Sequence, residues 1–201
     1  MALPQPFAYP IKPHIRKHGP LGYQDYESYR EWLRDEFTFR CVFCLKREQW
    51  DILDANWSLD HFMPQSIYPG KILEYSNLLY ACRSCNSAKS AQIVPNPSLV
   101  SFGDCVRVNN DGTITALTPD GENLIRALRL DSPRRNRYRS MIIGTIQSLA
   151  QHNMSLFTEW MRYPDNLPNL STLRCKGNTR PEGVKDSYHE QRKRGKLPEI
   201  Y

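Results

Sequence analysis

The chain has 201 residues, the size of one domain with elaborations, and is read as one unit. Its 40% hydrophobic content includes four Trp, eleven Tyr and seven Phe, too many aromatics for a disordered chain and enough for a modest core. No run approaches the roughly 18–20 apolar residues that span a bilayer. The start, MALPQPFAYP, is broken by prolines and lacks a charged-then-apolar leader pattern, so a cytoplasmic rather than a membrane or secreted protein is expected. The net charge of +6 is uneven: residues 1–40 carry +1, 41–125 carry −3, 126–173 carry +4 and 174–201 carry +4. The basic C-terminal part points to a polyanionic partner, with a plainly solvated basic face as the alternative.

The first 24 residues, with prolines at 4, 6, 10, 13 and 20, predict an extended lead-in. Tyr26, Tyr29, Trp32, Leu33 and Phe37 recur at helical spacing and predict a helix that delivers the chain to Cys41. Residues 57–62 predict a short strand with Leu59 and Asp60 on opposite faces, and 83–91, free of Pro and Gly, a short helix. Alternation on both sides of Asn110-Asp111-Gly112 predicts a hairpin. Residues 121–130 predict a helix. Ser132 and Pro133 have the cap and first-turn chemistry of another, with Tyr138, Ile142, Ile146 and Leu149 along one stripe. Residues 154–161 continue it after a break at His152-Asn153. From Pro164 onward periodicity is lost, and 174–196 reads as a basic tail.

Four of the six cysteines form Cys41-Val-Phe-Cys44 and Cys82-Arg-Ser-Cys85, with 37 residues between the knuckles. Two such knuckles can set four thiolates tetrahedrally round one structural Zn²⁺ at about 2.3 Å, which leaves no open coordination position. Disulfides are the competing reading, disfavoured in a chain without a leader. Cys105 and Cys175 lack a knuckle partner and read as ordinary thiols. His14, His18, His152 and His189 are expected on the surface.

Between the knuckles stand Leu59-Asp60-His61-Phe62-Met63-Pro64 and Ser76-Asn77-Leu78-Leu79, and the second knuckle runs on as Cys85-Asn86-Ser87-Ala88-Lys89. This order, C-x-x-C, D-H-x-x-P, N-L, C-x-x-C-N-x-x-K, resembles the HNH endonuclease family, in the subgroup whose ββα-metal motif is clamped by four cysteines. The resemblance covers residues 41–89. It implies an α+β fold, a zinc-ribbon-supported ββα-metal core with helical extensions, organised as a lead-in and helix (1–40), the nuclease core (41–95), a hairpin and helical extension (96–173) and a basic tail (174–201).

The residue types suit the chemistry. Phosphodiester hydrolysis needs an activated water, and His61, whose ordinary pKa lies near neutrality, is the candidate general base. The amide oxygen of Asn77 could accept a hydrogen bond from one ring nitrogen and leave the other free, which resembles the role of the middle Asn in the family. Asp60 and Asn86 offer hard oxygens suited to Mg²⁺ or Mn²⁺. They match the family's two metal-binding positions, with Asn where the last letter of the family motif is His. Lys89 and Arg83 are candidate phosphate contacts, and Arg134, Arg135, Arg137 and Arg139, with the 192–196 run, are candidates to grip nucleic acid.

A looser resemblance, carried by Asn96-Pro97, Asp104, Asp111-Gly112 and the stretch 124–139, is to bacterial HNH proteins of anti-phage defence, including retron and Septu types, and it implies an ATPase partner. The expected function is therefore an HNH endonuclease, with DNA as the default substrate and RNA left open. The alternative is a non-catalytic zinc module that binds nucleic acid or a partner protein.

Overall fold

The computed structural model describes residues 5–51 and 57–201; the start of the expected lead-in and the segment 52–56 of the expected core lie outside the described residues. After β1 (Pro20–Leu21), the predicted helix forms in two parts, a 3₁₀ turn at Tyr26–Tyr29 capped by the Asp25 side chain and then α1 (Arg30–Glu36). Tyr29, Trp32, Leu33 and Phe37 face the core, as the spacing requires.

The first knuckle follows and is tied to what comes later by Val42 N–H, which donates to the Tyr80 carbonyl at 3.0 Å. β2 (Trp57–His61) and β3 (Leu78–Cys82) pair antiparallel with Trp57 opposite Cys82 and His61 opposite Leu78. This register puts the second knuckle at one end of the hairpin and Asp60-His61 at the other. α2 (Arg83–Lys89) starts where β3 ends and packs back across β2.

The extension begins with α3 (Phe102–Cys105) and the predicted hairpin, β4 (Val106–Val108) and β5 (Ile114–Ala116). Next come α4 (Pro119–Leu128), whose first turn is capped by Thr118, and α5 (Pro133–His152). Ser132 precedes α5 as expected but makes no side-chain cap bond; Asn153 does cap α6 (Met154–Met161). The predicted stripe of α5 faces inward with Ile142, Ile143 and Ile146 buried. Leu33, Phe43, Leu78, Leu79, Tyr80, Leu124, Leu128 and Ile146 belong to one continuous core that joins hairpin, α1, α4 and α5.

The expected tail is instead folded. β6 (Gly177–Asn178) pairs with β1, and α7 (Glu182–Lys185) and α8 (Tyr188–Lys193) follow. Tyr201 stacks on Tyr163 with ring centres 4.4 Å apart and lies under the Arg47 guanidinium at 4.2 Å. A few isolated apolar anchors hold this segment down, and a periodicity reading has nothing to register in such a pattern.

The lead-in is docked by two adjacent carboxylates at the end of α1. Asp35 and Glu36 are both buried. His18 Nε2 meets Asp35 Oδ1 at 2.7 Å, His14 Nε2 meets Glu36 Oε1 at 2.9 Å, and the Tyr75 hydroxyl donates to Glu36 Oε2 at 3.1 Å. His18, expected on the surface, is therefore internal, and His14 is half-buried against the Glu36 carboxyl. Burial alone would raise the Glu36 pKa, but His14, Arg16 and the Lys17 N–H outweigh it and hold the carboxyl at about 2, below its ordinary 4.5. A lowered carboxyl stabilises the fold fully above its unfolded pKa and ceases to do so as pH falls through the folded one. Glu36→Gln should therefore cost on the order of 3 kcal/mol above pH ~5. The gap to wild type should close between pH 4.5 and about 2, as urea denaturation at stepped pH would show.

Candidate active site and metal centre

At one end of the hairpin the Sγ atoms of Cys41, Cys44, Cys82 and Cys85 all lie within 4.8 Å of one another, and the four are free thiols rather than disulfides. Sulfurs at about 2.3 Å from a tetrahedral Zn²⁺ stand about 3.8 Å apart. Cys44 and Cys82 are separated by 3.7 Å, so the donor set fits that ion in both chemistry and size. Local structure explains the convergence. Cys41 N–H donates to the Lys46 carbonyl and Leu45 takes a positive φ of 59°, which closes the first knuckle, while the β3-to-α2 junction makes the second.

Arg135, from α5, donates to Cys85 Sγ at 3.3 Å. Burial would lower its pKa, but the Cys85 and Cys44 sulfurs more than offset this and keep the guanidinium charged. Read from sequence as a nucleic-acid contact, Arg135 is here turned to the cysteine cluster. Arg139 departs further from its expected role, since it is buried and spends its donors on the Gly112 carbonyl at 2.7 Å and the Leu130 carbonyl at 2.8 Å. Gly112, at φ +85°, allows the close approach, because a Cβ there would lie 2.4 Å from Ser140 N. Arg139 thus fastens the β4–β5 turn to α5 and is not available to a ligand. Arg83, Arg134 and Arg137 are exposed.

At the other end of the hairpin, Asp60 and His61 close β2. The Nε2 of His61 lies 3.0 Å from the Ile72 carbonyl, an obligate acceptor, so Nε2 carries the ring proton. Gln65 Nε2 approaches Nδ1 at 2.8 Å as an amide donor, which makes Nδ1 the lone-pair nitrogen. Burial lowers the His61 pKa, with Lys89 acting in the same sense and the Ile72 bond opposing, so the ring is neutral at neutral pH. Tyr26 stands edge-on to the imidazole with ring centres 4.9 Å apart.

Asn77 does not hold the ring. Its Oδ1 accepts from Met63 N–H at 2.7 Å, and its Nδ2 donates to the Met63 and Lys71 carbonyls at 3.2 and 3.1 Å. The two ring nitrogens of His61 instead meet the Ile72 carbonyl and Gln65, so Asn77 staples the loop that carries the Ile72 carbonyl and positions His61 at one remove.

Lys89 is wholly buried, so it is no phosphate contact. Its ammonium donates to the His61 carbonyl at 2.7 Å and lies 3.2 Å from Asp60 Oδ2, an ion pair whose direction falls short of a hydrogen bond. Burial raises the Asp60 carboxyl to about 6 and Lys89 partly offsets this. Asp60 therefore presents a buried oxygen without a hydrogen-bond donor, and half-buried Asn86 stands in the first turn of α2 directly after the ligand Cys85. Oxygens of this kind fit a hard divalent cation.

Gln65 and the Ile72 carbonyl have no place in the sequence reading, and Tyr26 enters it only as part of a helical stripe, not of the site. Gln65 follows the D-H-x-x-P turn and its proximity to His61 was available as a signal, whereas a backbone carbonyl has no sequence signature at all.

Residues 41–92 match the family model described as HNH endonuclease, so this part of the chain is an HNH domain. Among curated proteins the chain is similar to the Septu protein PtuB of Bacillus thuringiensis, with 26% identity over 111 residues. The match takes in 53% of this chain and 42% of that protein, so the chain spans less than half the length of this relative.

Two outcomes test the site's construction. Purified protein should carry one zinc per chain, and Cys82→Ser should lose both the metal and a large part of its thermal stability, as metal analysis and melting curves would record. Lys89→Met strands a buried carboxylate and should destabilise by about 3–5 kcal/mol. Asp60→Asn in the same chain should recover most of that loss in a double-mutant cycle read by chemical denaturation.

Proposed function

We propose that the chain is a metal-dependent HNH endonuclease that hydrolyses phosphodiester bonds in nucleic acid, DNA foremost, and that it serves anti-phage defence beside an ATPase. The carrying observation is the fixed tautomer of His61, with Nε2–H on the Ile72 carbonyl and Nδ1 as the open acceptor, next to Asp60 in the chain. Proton abstraction by a positioned neutral imidazole is general-base catalysis. Gln65 is exposed, so its amide can leave Nδ1 to a water molecule.

In this mechanism His61 Nδ1 takes a proton from water as the oxygen attacks phosphorus. The Ile72 carbonyl keeps Nε2–H in place and steadies the charge that the ring acquires. Asn77 keeps the Ile72 loop in register, and Lys89 holds the His61 backbone and the Asp60 carboxylate together. Mg²⁺ or Mn²⁺ bound by Asp60 and Asn86 would neutralise the phosphate and the departing 3′-oxygen. The products would be 5′-phosphate and 3′-hydroxyl ends. The defence setting rests on the likeness to the Septu protein and on the looser sequence resemblance.

The test is nicking of a supercoiled plasmid with Mg²⁺, alone and with the partner ATPase, and its arrest by EDTA. His61→Ala should lower the rate by about 10²–10⁴ or more while zinc content and circular dichroism stay those of wild type. Wild-type turnover in that variant, or zinc-loaded wild type that nicks under neither condition, would sink the proposal.

A further inference from the structure

Beside the zinc knuckles lies a cavity of about 510 Å³ whose lining includes Phe7, Lys46, Arg83, Arg134, Arg135 and Tyr138. Its charges are unequal in what they can do. Lys46 is paired with Asp51, also in the wall, and Arg135 is committed to Cys85. Arg83 and Arg134 are exposed and, among the described residues, have no carboxylate partner. They come from the first turns of α2 and α5, two elements that the zinc knuckles and Arg135 bring together. The Tyr138 hydroxyl is shut off from solvent and has no hydrogen-bond partner among the described residues, an unspent donor in the same wall.

Two exposed guanidinium forks and a phenol, on the half-buried ring of Tyr138, match one nucleotide: a singly charged phosphate with several acceptor oxygens, joined to apolar ring surface. The volume is that of an ordinary small-ligand site. We propose that this cavity is a subsite for one nucleotide of the substrate strand, with Arg83 and Arg134 on its phosphate, away from the bond that is cut. The proposal rests on the nuclease reading above.

The hairpin sets the spacing. Cys82 lies opposite Trp57, and His61 is four residues further along β2. At about 3.3 Å per residue this is ~13 Å, or about four duplex steps at ~3.4 Å each. A strand anchored at the zinc end therefore reaches the catalytic end within a few nucleotides. Arg137 makes the contrast, being exposed on the same helix but absent from the cavity wall.

The test is fluorescence-anisotropy titration of a labelled duplex without Mg²⁺ at several salt concentrations, for wild type, Arg83→Ala, Arg134→Ala, Arg137→Ala and Tyr138→Phe, with zinc content measured for each. Each of the two cavity arginine variants should weaken binding and flatten the slope of log affinity against log salt by about 0.9, and their combination by about twice that. Tyr138→Phe should weaken binding with the slope unchanged, and Arg137→Ala should leave the slope of wild type. Equal slope losses in all three arginine variants, or none in any, would overturn the subsite, and so would a normal isotherm for Tyr138→Phe.

Thymidine 5′-monophosphate and inorganic phosphate, added at millimolar concentration, separate a strand phosphate from a free one. A mononucleotide whose binding needs Arg83 and Arg134, while duplex binding does not, would overturn the proposal in favour of a free-nucleotide site. Plasmid nicking by the same proteins keeps the two readings apart. Cleavage with unaltered slopes removes the subsite alone, and altered slopes without cleavage remove the nuclease alone. A wild type that binds no nucleic acid removes both.

Discussion

Four cysteine sulfurs within 4.8 Å of one another in a buried site make a donor set that fits one divalent cation, and their convergence constrains the chain around them. That constraint governs more than the knuckles. It fixes the junction at which β3 turns into α2, and so the direction in which α2 crosses the hairpin. The Arg135 guanidinium, delivered by α5, donates to one of these sulfurs, that of Cys85. That contact joins the HNH domain to the helical extension, and a cavity with cationic walls lies at the seam.

The Asp60-His61 end of the hairpin inherits its geometry from the same arrangement. α2 runs from the zinc cluster toward Asp60-His61, and Lys89 at its end meets the Asp60 carboxylate and the His61 carbonyl from below. A buried ammonium is costly unless it is paired and hydrogen-bonded, so the position specifies both contacts together. The loop between β2 and β3 performs the complementary task. Asn77 saturates its amide with loop backbone, the loop presents the Ile72 carbonyl, and that carbonyl decides which nitrogen of His61 is basic.

The basic C-terminal part illustrates what a charge count leaves open. Of four arginines within six positions of α5, Arg139 is swallowed by the β4–β5 turn, half-buried Arg135 is turned to the Cys85 sulfur, and Arg134 and Arg137 are exposed. The C-terminal segment likewise spends part of its charge internally, with Arg192 donating to the Pro164 and Asp165 carbonyls at 2.8 and 2.9 Å. Net charge adds these residues as equals, whereas a polyanion meets only those whose donors remain unspent.

Much of the HNH region was legible in the sequence, because its determinants are local in kind. Paired C-x-x-C knuckles, an Asp-His at a strand end and an Asn-x-x-Lys opening a helix constrain chemistry and spacing together, and β2 and α2 follow the expected boundaries closely, while β3 has no expected boundaries. The Asn110-Asp111-Gly112 hairpin and the inward stripe of α5 were equally readable, from turn chemistry and helical period. The roles of Asn77, Lys89, Arg135 and Arg139, the internal place of His18 and the docking of residues 164–201 belonged to the tertiary structure. Each depends on what a polar group meets across long sequence separation: a loop carbonyl, a buried carboxylate, a cysteine sulfur. Side-chain type states which bonds a group can make, and only the folded chain decides which partner arrives first and uses them up.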